Sequence, residues 1–292
     1  MSLPKVTLIT VNYRQTELTC KLLDSIKINS YPNLETIVVD NGSLNECNDI
    51  FKSHLPTVKV ISSTQNLGFA GGNNLGIKSS TGGFLFFINN DTVLTDGLVE
   101  ALISRFKISD NVGGVSPKIK YFDSKEYVQY AGFTEVNSWT GRNETIGKNQ
   151  LDSDAFNKPH QTPYLHGAAM MIKREVIEKV GLMHEEYFLY YEELDWCSHI
   201  RKSGYSLWYE PTGLIYHKES ASVGKMSPLK IYYETRGRLL FMKRNYSALQ
   251  FNFFKFFFYF ISMPTKLLEF IVKSQFYLTM PYLNAALGKK LN

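Results

Sequence analysis

The sequence predicts an α/β fold built on a mainly parallel sheet. Three observations carry that expectation. β-Branched and apolar runs alternate with helical periodicities along the N-terminal third, three of those runs end in polar punctuation, and the composition is that of a folded domain, 44% apolar and 20% charged.

The elements follow in order. Val6-Thr-Leu-Ile-Thr-Val11 is a short β-branched run suited to a buried strand. Thr16 to Ile28 carries apolar residues at Leu18, Leu22, Leu23 and Ile26, a helical spacing. Leu34 to Val39 is a second strand, closed by Asp40-Asn41-Gly42-Ser43, and Val58 to Ile61 is a third. A helix is expected over Asn73 to Ser79, and Phe84 to Ile88 is the fourth strand. Residues 113–165 are rich in Gly, Asn, Ser and Asp and read as strands and loops. Beyond them come a small-residue apolar run (Gly167 to Ile172), a helix (Arg174 to Val180), and a helix from Glu192 to Ser203 with Gly204 as its C-cap. Tyr205 to Tyr209 and Leu214 to Tyr216 read as short strands, and Leu229 to Asn245 as a basic helix.

The 292 residues suit one large domain with an appendage or two modest ones, and net charge is +5. No dense Lys/Arg stripe occurs in the first two hundred residues, which argues against a nucleic-acid partner. Cys20, Cys47 and Cys197 lack metal-ligand spacing, and a sparse odd set fits a reducing compartment. The N-terminus reads as a strand rather than a signal peptide, so a cytoplasmic location is expected.

In parallel sheets, ligands sit beyond the carboxyl ends of the strands. Three strands here end in Asn12-Tyr13, Asp40-Asn41-Gly42 and Asn89-Asn90-Asp91, although each group could serve singly as a turn. The glycine-rich stretch from Asn66 to Gly76 permits close approach to a phosphate or sugar, or else simply leads into a helix. It is no dinucleotide fingerprint, because the turn after the first strand has no glycine. In Tyr190-Tyr-Glu-Glu-Leu-Asp-Trp196, Glu192 and Asp195 share a helix face while Glu193 turns aside. Like charges so close raise one pKa, which suits a general base; a solvated helix start is the alternative. His217 is a lone histidine whose role depends on its partners.

The ordered series of these motifs, with Gly167-Ala-Ala-Met-Met-Ile-Lys-Arg174 and Tyr216-His-Lys-Glu-Ser-Ala-Ser222, resembles family 2 glycosyltransferases, most of all their rhamnosyltransferase-type branch, from Val6 to about Arg244. The resemblance implies a GT-A fold and inverting transfer from a nucleotide-diphosphate sugar, with dTDP-rhamnose as the expected donor. It implies that Asn12, Tyr13 and Asp40 hold the nucleoside, with Asn66, Gly68, Gly71, Asn73 and Asn90 near the nucleotide. Gly167 and Ala168 match the loop beside the donor sugar. Asp91 matches the last acid of the DXD-like motif that holds Mg²⁺ or Mn²⁺, and His217 a histidine of the same metal site. Glu193 matches the expected base. Asn89 stands where many relatives carry the first acid of that motif, and Glu193 where Asp is usual. A metal bridged by phosphates needs only one or two protein carboxylates.

Phe251 to Phe260 is the most apolar stretch. Asn252, Lys255, Tyr259, Ser262, Lys266, Glu269 and Lys273 recur every three or four residues, a narrow polar stripe on an otherwise apolar helix, and Pro264 should kink or divide it. Lysines interrupt every window long enough to span a membrane, so a helix lying in the membrane interface is expected, with packing on the catalytic domain or another subunit as the alternative. The expected organisation is residues 1–226 as catalytic domain and 227–292 as helical extension. It implies a peripheral enzyme on the inner face of the cell membrane with a glycan or polyprenyl-linked acceptor, and a homodimer is left open. Arg236 is the best candidate for a phosphate contact from the basic helix. The competing readings are a non-catalytic sugar-nucleotide-binding subunit and a transferase using a UDP-sugar.

Overall fold

A computed structural model describes residues 3–29, 31–43, 47–218 and 226–291; the Tyr216–Ser222 motif beyond Lys218 therefore lies outside the described residues. The chain runs β1 (Val6–Asn12), α1 (Thr16–Ile28), β2 (Leu34–Asn41), α2 (Asn48–His54), β3 (Lys59–Ser63), α3 (Gly68–Ser79), β4 (Phe84–Ile88), β5 (Thr92–Leu94) and α4 (Leu98–Phe106). It continues through β6 (Val112–Tyr121), β7 (Tyr127–Tyr130), β8 (Gln150–Leu151), β9 (His160–Gln161), β10 (Ala169–Lys173), α5 (Arg174–Val180), α6 (Glu192–Lys202) and β11 (Ser206–His217). It ends in α7 (Pro228–Asn245), α8 (Ala248–Phe257), α9 (Met263–Val272) and α10 (Thr279–Ala286).

The strands form one sheet in the order β3-β2-β1-β4-β10-β6-β11-β5. From β3 to β4 it is parallel; β10 then enters antiparallel between β4 and β6, so the second half is mixed. Alternation within β4 shows how the sheet divides the core. Phe86 and Ile88 face one apolar cluster with Leu22 and Leu23 of α1 and Leu98 of α4, and Leu85 and Phe87 face another with Ile177 of α5 and Trp196 of α6. Phe86 and Phe87 are both fully buried. Truncating either to Ala would cost ~3–5 kcal/mol. That rigid strand ends at Asn89-Asn90-Asp91.

Two elements differ from the sequence reading. The glycine-rich stretch is not a loop: α3 begins at Gly68, five residues before the expected start. Its first turn is tied down by two amide side chains, as Asn41 Oδ1 accepts from Leu67 N at 2.9 Å and Asn66 Oδ1 from Gly68 N at 2.9 Å. The two short strands after α6 are one, β11, with register shifts between Ser206 and Leu207 and between Glu210 and Leu214.

The C-terminal helices pack on the second core cluster through Phe254, Phe258 and Phe270, all wholly buried. Between α8 and α9 the chain makes a π-helical segment, Phe258–Ser262, and Pro264 falls in the first turn of α9. A proline cannot donate to the carbonyl four residues back, and a widened turn absorbs the mismatch. Phe253, Phe256, Phe260, Leu268 and Ile271 remain exposed along the outer face, with Phe260 69% exposed. No helix among the described residues is long and apolar enough to cross a membrane.

Candidate active site

The parallel strands deliver their polar ends to one cleft. β1 and β2 pair with Asn12 opposite Asp40, and Asn12 Nδ2 donates to Asp40 Oδ1 at 2.9 Å. Thr19 Oγ1 donates to Asn12 Oδ1 at 2.8 Å, and Asn90 Nδ2 donates to Thr19 Oγ1 at 3.0 Å. This buried chain links three strand ends through α1. Every buried polar group in it finds a partner, which makes it rigid. Tyr13, Asn41, Asn66, Gly68 and Phe69 line the adjacent part of a cavity of about 380 Å³.

At the floor of the same cavity stand Asp91, after β4, and His217, at the end of β11. Asp91 Oδ1 and His217 Nε2 are 3.1 Å apart, and both side chains are buried. His217 Nδ1 lies 3.0 Å from Gln129 Oε1, and the Asn89 amide nitrogen lies 3.5 Å from Nε2. With Gln129 accepting, Nδ1 carries the ring proton and Nε2 presents its lone pair toward a carboxylate oxygen. Two lone pairs facing each other are stable across a shared proton or a cation, so this donor set fits a divalent metal. Gln129 would then be the outer partner that orients the imidazole. Among the described residues no cluster of three or more His, Cys, Asp or Glu could hold a metal, so phosphate oxygens and water would supply the rest of its shell.

The other wall is made by Glu192 and Glu193, the first residues of α6. The chain reaches them through an unusual turn: Phe188, Tyr190 and Tyr191 have φ of 62°, 66° and 75°. None is glycine, and each such residue costs on the order of 1 kcal/mol or more. Packing holds the turn in place. Phe69 N donates to Phe188 O at 2.6 Å, and Phe188 stacks on Tyr233 of α7. A Cβ at Gly68 would lie 2.2 Å from Phe188 O, and one at Gly237 of α7 would lie 2.9 Å from Tyr190 O. Glycine is therefore required at both close approaches.

Glu192 is buried and Glu193 half-buried, and Oε2 of each lacks a hydrogen-bond partner. Burial raises the pKa of Glu193 to about 7, offset in part by the backbone N–H groups at the start of α6. Burial, and then the charge of Glu193, pushes Glu192 well above the usual carboxylate range. The two carboxyls are coupled, and both are lifted above the ordinary carboxylate range. Glu193 also lines a second cavity of about 600 Å³, walled by α7, the π-helical segment and α9. It stands at the boundary between two chambers.

The structure brings together Tyr13, Asn66, Gly68, Asn90, Asp91, Gly167, Ala168, Glu192, Glu193 and His217 along the first cavity. Asn12 and Asp40 stand behind it in the hydrogen-bonded chain. Four others do not reach it. Gly71 packs against Leu67, and the Asn73 amide donates to Phe69 O at 3.0 Å, because both lie inside α3. Arg236 points outward, 3.9 Å from Glu186. Asp195 binds Tyr187, Arg244 and Asn245, tying α6 to the end of α7. The expectation that Glu192 and Asp195 share the working face is thus corrected to Glu192 and Glu193, because the left-handed turn aims the first two helical residues across the helix start.

Asn41, part of the second polar strand end, lines the cavity too, whereas sequence reasoning missed Gln129, Lys148 and His166. His166 directly precedes Gly167-Ala168, so that motif could have included it. It accepts from Ala168 N at 3.1 Å, and burial, then the charges of His217 and Lys148, lowers its pKa to about 3. Gln129 and Lys148 fall in the stretch without regular patterning and carried no signal.

A profile of glycosyl transferase family 2 matches residues 7–181, more than half of the chain. The chain is 26% identical over 250 residues to the low-salt glycan biosynthesis hexosyltransferase Agl10 of Haloferax volcanii, covering 82% of this chain and 75% of that one. It is 22% identical over 235 residues to the N-acetylglucosaminyl-diphospho-decaprenol L-rhamnosyltransferase of Mycobacterium tuberculosis, covering 70% and 73%. It spans smaller shares of other relatives, 25% of one and 61% of another. Among solved structures, the mannosyltransferase PcManGT of Pyrobaculum calidifontis, in complex with GDP-Man and Mn²⁺, superposes with a TM-score of 0.61 at 17% identity, over 98% of this chain and 86% of that one. That likeness identifies the fold as GT-A.

Proposed function

The chain belongs to glycosyl transferase family 2, and on that premise we propose an inverting transfer of a sugar from a nucleotide diphosphate to an acceptor hydroxyl. The observation that carries the proposal is a single cleft with Asp91 and His217 at its floor and Glu193, a carboxyl poised near neutrality, on its opposite wall. Tyr13 and Asn66 flank the nucleotide, braced by Asn12 and Asp40. Asp91 and His217 would hold Mg²⁺ or Mn²⁺, which when bound lowers the barrier by offsetting charge on the departing diphosphate. Glu193 takes the proton from the acceptor hydroxyl as that oxygen attacks the anomeric carbon. Its pKa near 7 lets it accept a proton at working pH without being permanently protonated. Glu192, lifted by burial and by the neighbouring charge, shares the titration of this coupled pair.

For the donor we favour dTDP-rhamnose, supported by motif resemblance and by a relative named as a rhamnosyltransferase. The favoured acceptor is a lipid-linked or polysaccharide glycan of the cell surface. We place the enzyme peripherally on the inner membrane face, with the exposed phenylalanines of α8 and the π segment against lipid. Thermal-shift titration with a panel of nucleotide sugars, with and without Mn²⁺, tests this reading. The largest rise in Tm is expected for dTDP-rhamnose with Mn²⁺. A larger rise for a UDP-sugar would change the donor, and no shift with any donor would overturn the transferase reading.

A further inference from the structure

The second cavity, beyond Glu193, has a chemistry of its own. Arg142, from the chain between β7 and β8, and Arg238, from α7, both line it. Their guanidinium groups converge on one hydroxyl: Arg142 Nη2 donates to Ser262 Oγ at 3.3 Å and Arg238 Nη1 at 3.5 Å. Glu193, Glu234 and Glu269 line the cavity as well, but among the described residues Glu234 pairs with Lys230 and Glu269 with Lys266 rather than with either arginine. Arg238 lies over the rings of Phe254 and Phe258, 5.4 and 5.6 Å from their centroids. Two buried donors on the same wall, Arg238 Nε and Asn143 Nδ2, have no acceptor. Lys266 lines the cavity too, but pairs with Glu269 at 2.8 Å, and that glutamate is bound again by Lys273.

Arg142 is exposed and Arg238 half-buried, and two guanidinium groups that share one hydroxyl repel each other unless an anion joins them. Burial and the neighbouring Arg142 charge indeed lower the pKa of Arg238. Arg238 Nη2 already donates to Thr140 O, and an oxyanion with several acceptor oxygens would take the Arg142 fork and the orphaned Arg238 Nε and Asn143 Nδ2, since the planar guanidinium matches phosphate. The π-helical segment and α9 line the cavity with Phe258, Ser262, Thr265, Lys266 and Glu269, and the same stretch carries Phe260 and Leu268, both more than half exposed. An occupant with a charged head and an apolar tail fits that juxtaposition.

We propose that this cavity is the acceptor subsite and takes a phosphate- or diphosphate-linked lipid carrier, its anionic group held between Arg142 and Arg238 and its sugar beside Glu193. The inference rests on the transferase reading above and adds where the anionic carrier of a lipid-linked acceptor is held. It separates donor and acceptor anions: Asp91 and His217 face one diphosphate, and the two arginines another.

The test is calorimetric titration of the full chain in EDTA with farnesyl diphosphate, against farnesol and inorganic pyrophosphate. Farnesyl diphosphate should bind wild type and Asp91→Ala alike and farnesol much more weakly. The double variant Arg142→Gln/Arg238→Gln should lose about tenfold or more in affinity, as expected when charge-assisted hydrogen bonds are removed. Arg142→Gln alone, at an exposed side chain, should weaken binding in the same direction without a change in Tm. Binding indifferent to both arginines, or lost with Asp91→Ala, or equally tight for farnesol, would overturn the proposal. Nucleotide binding in Mn²⁺ is read in parallel: its retention in the arginine variants separates failure of this subsite from failure of the donor reading.

Discussion

Asp91 and Glu193 face the same cleft from walls built in different ways. Asp91 follows β4, whose residues are paired in register with β1 on one side and β10 on the other. Its position is inherited from a sheet. Glu193 follows Phe188, Tyr190 and Tyr191, all in left-handed backbone, and keeps its position only because α3 and α7 press on that turn at Gly68 and Gly237. Regular hydrogen bonding aims one carboxylate, and strain that neighbouring helices hold down aims the other, whose pKa is lifted to about 7.

The comparison can be broken most sharply at the carboxylates themselves. Glu193→Gln should reduce transfer by about 10²–10⁴ while leaving nucleotide binding in Mn²⁺ intact, as measured by steady-state rates and calorimetry. Asp91→Ala should reduce transfer by roughly 10²–10³ and should also abolish the Mn²⁺ dependence of nucleotide binding, so the two variants separate the two walls.

The strained wall offers a third measurement. Gly68→Ala places a Cβ against Phe188 O and should cost at least ~1–3 kcal/mol of stability, read as a fall in denaturant midpoint. Activity at a temperature where the variant is fully folded should fall as well, because Glu193 is displaced. The smallest effect concerns protons. The Glu193 pKa is raised from 4.5 to about 7 in the folded chain, so its contribution to stability is full below pH 4.5 and is lost as pH rises through about 7. Relative to wild type, Glu193→Gln should therefore be more stable at pH 8 than at pH 4. The transfer rate of wild type should rise across the same interval, as the base becomes available.

How much of this was legible follows the same division. The β-branched runs at Val6 and Leu34 and the apolar run at Phe84 mark strands because burial on both faces needs no tertiary information, and their polar ends mark the cleft. The start of α3 was misread because Asn41 and Asn66 bond to its first turn from outside the helix, a contact that local glycine content conceals. Asp195 looked catalytic because helical spacing pairs it with Glu192. Only the reversed backbone at Tyr190 and Tyr191, which no propensity for tyrosine suggests, turns Glu193 inward. Gln129 and Arg142 lie in the irregular middle of the chain, and only the assembled fold gives them partners.

The π-helical segment Phe258–Ser262 acts as a phase shifter between two halves of one long helix. Successive residues of an α-helix are offset by about 100°, so one extra residue in the turn rotates everything after it by about that angle. The rotation puts Lys266 and Glu269 of α9 on the chamber wall that Ser262 begins. Removing a single residue from the segment would leave composition and hydrophobicity almost untouched, yet swing that polar stripe off the chamber and an apolar one into it. Whether this chamber wall is charged or oily is, in that sense, stored in a count of residues rather than in their identity.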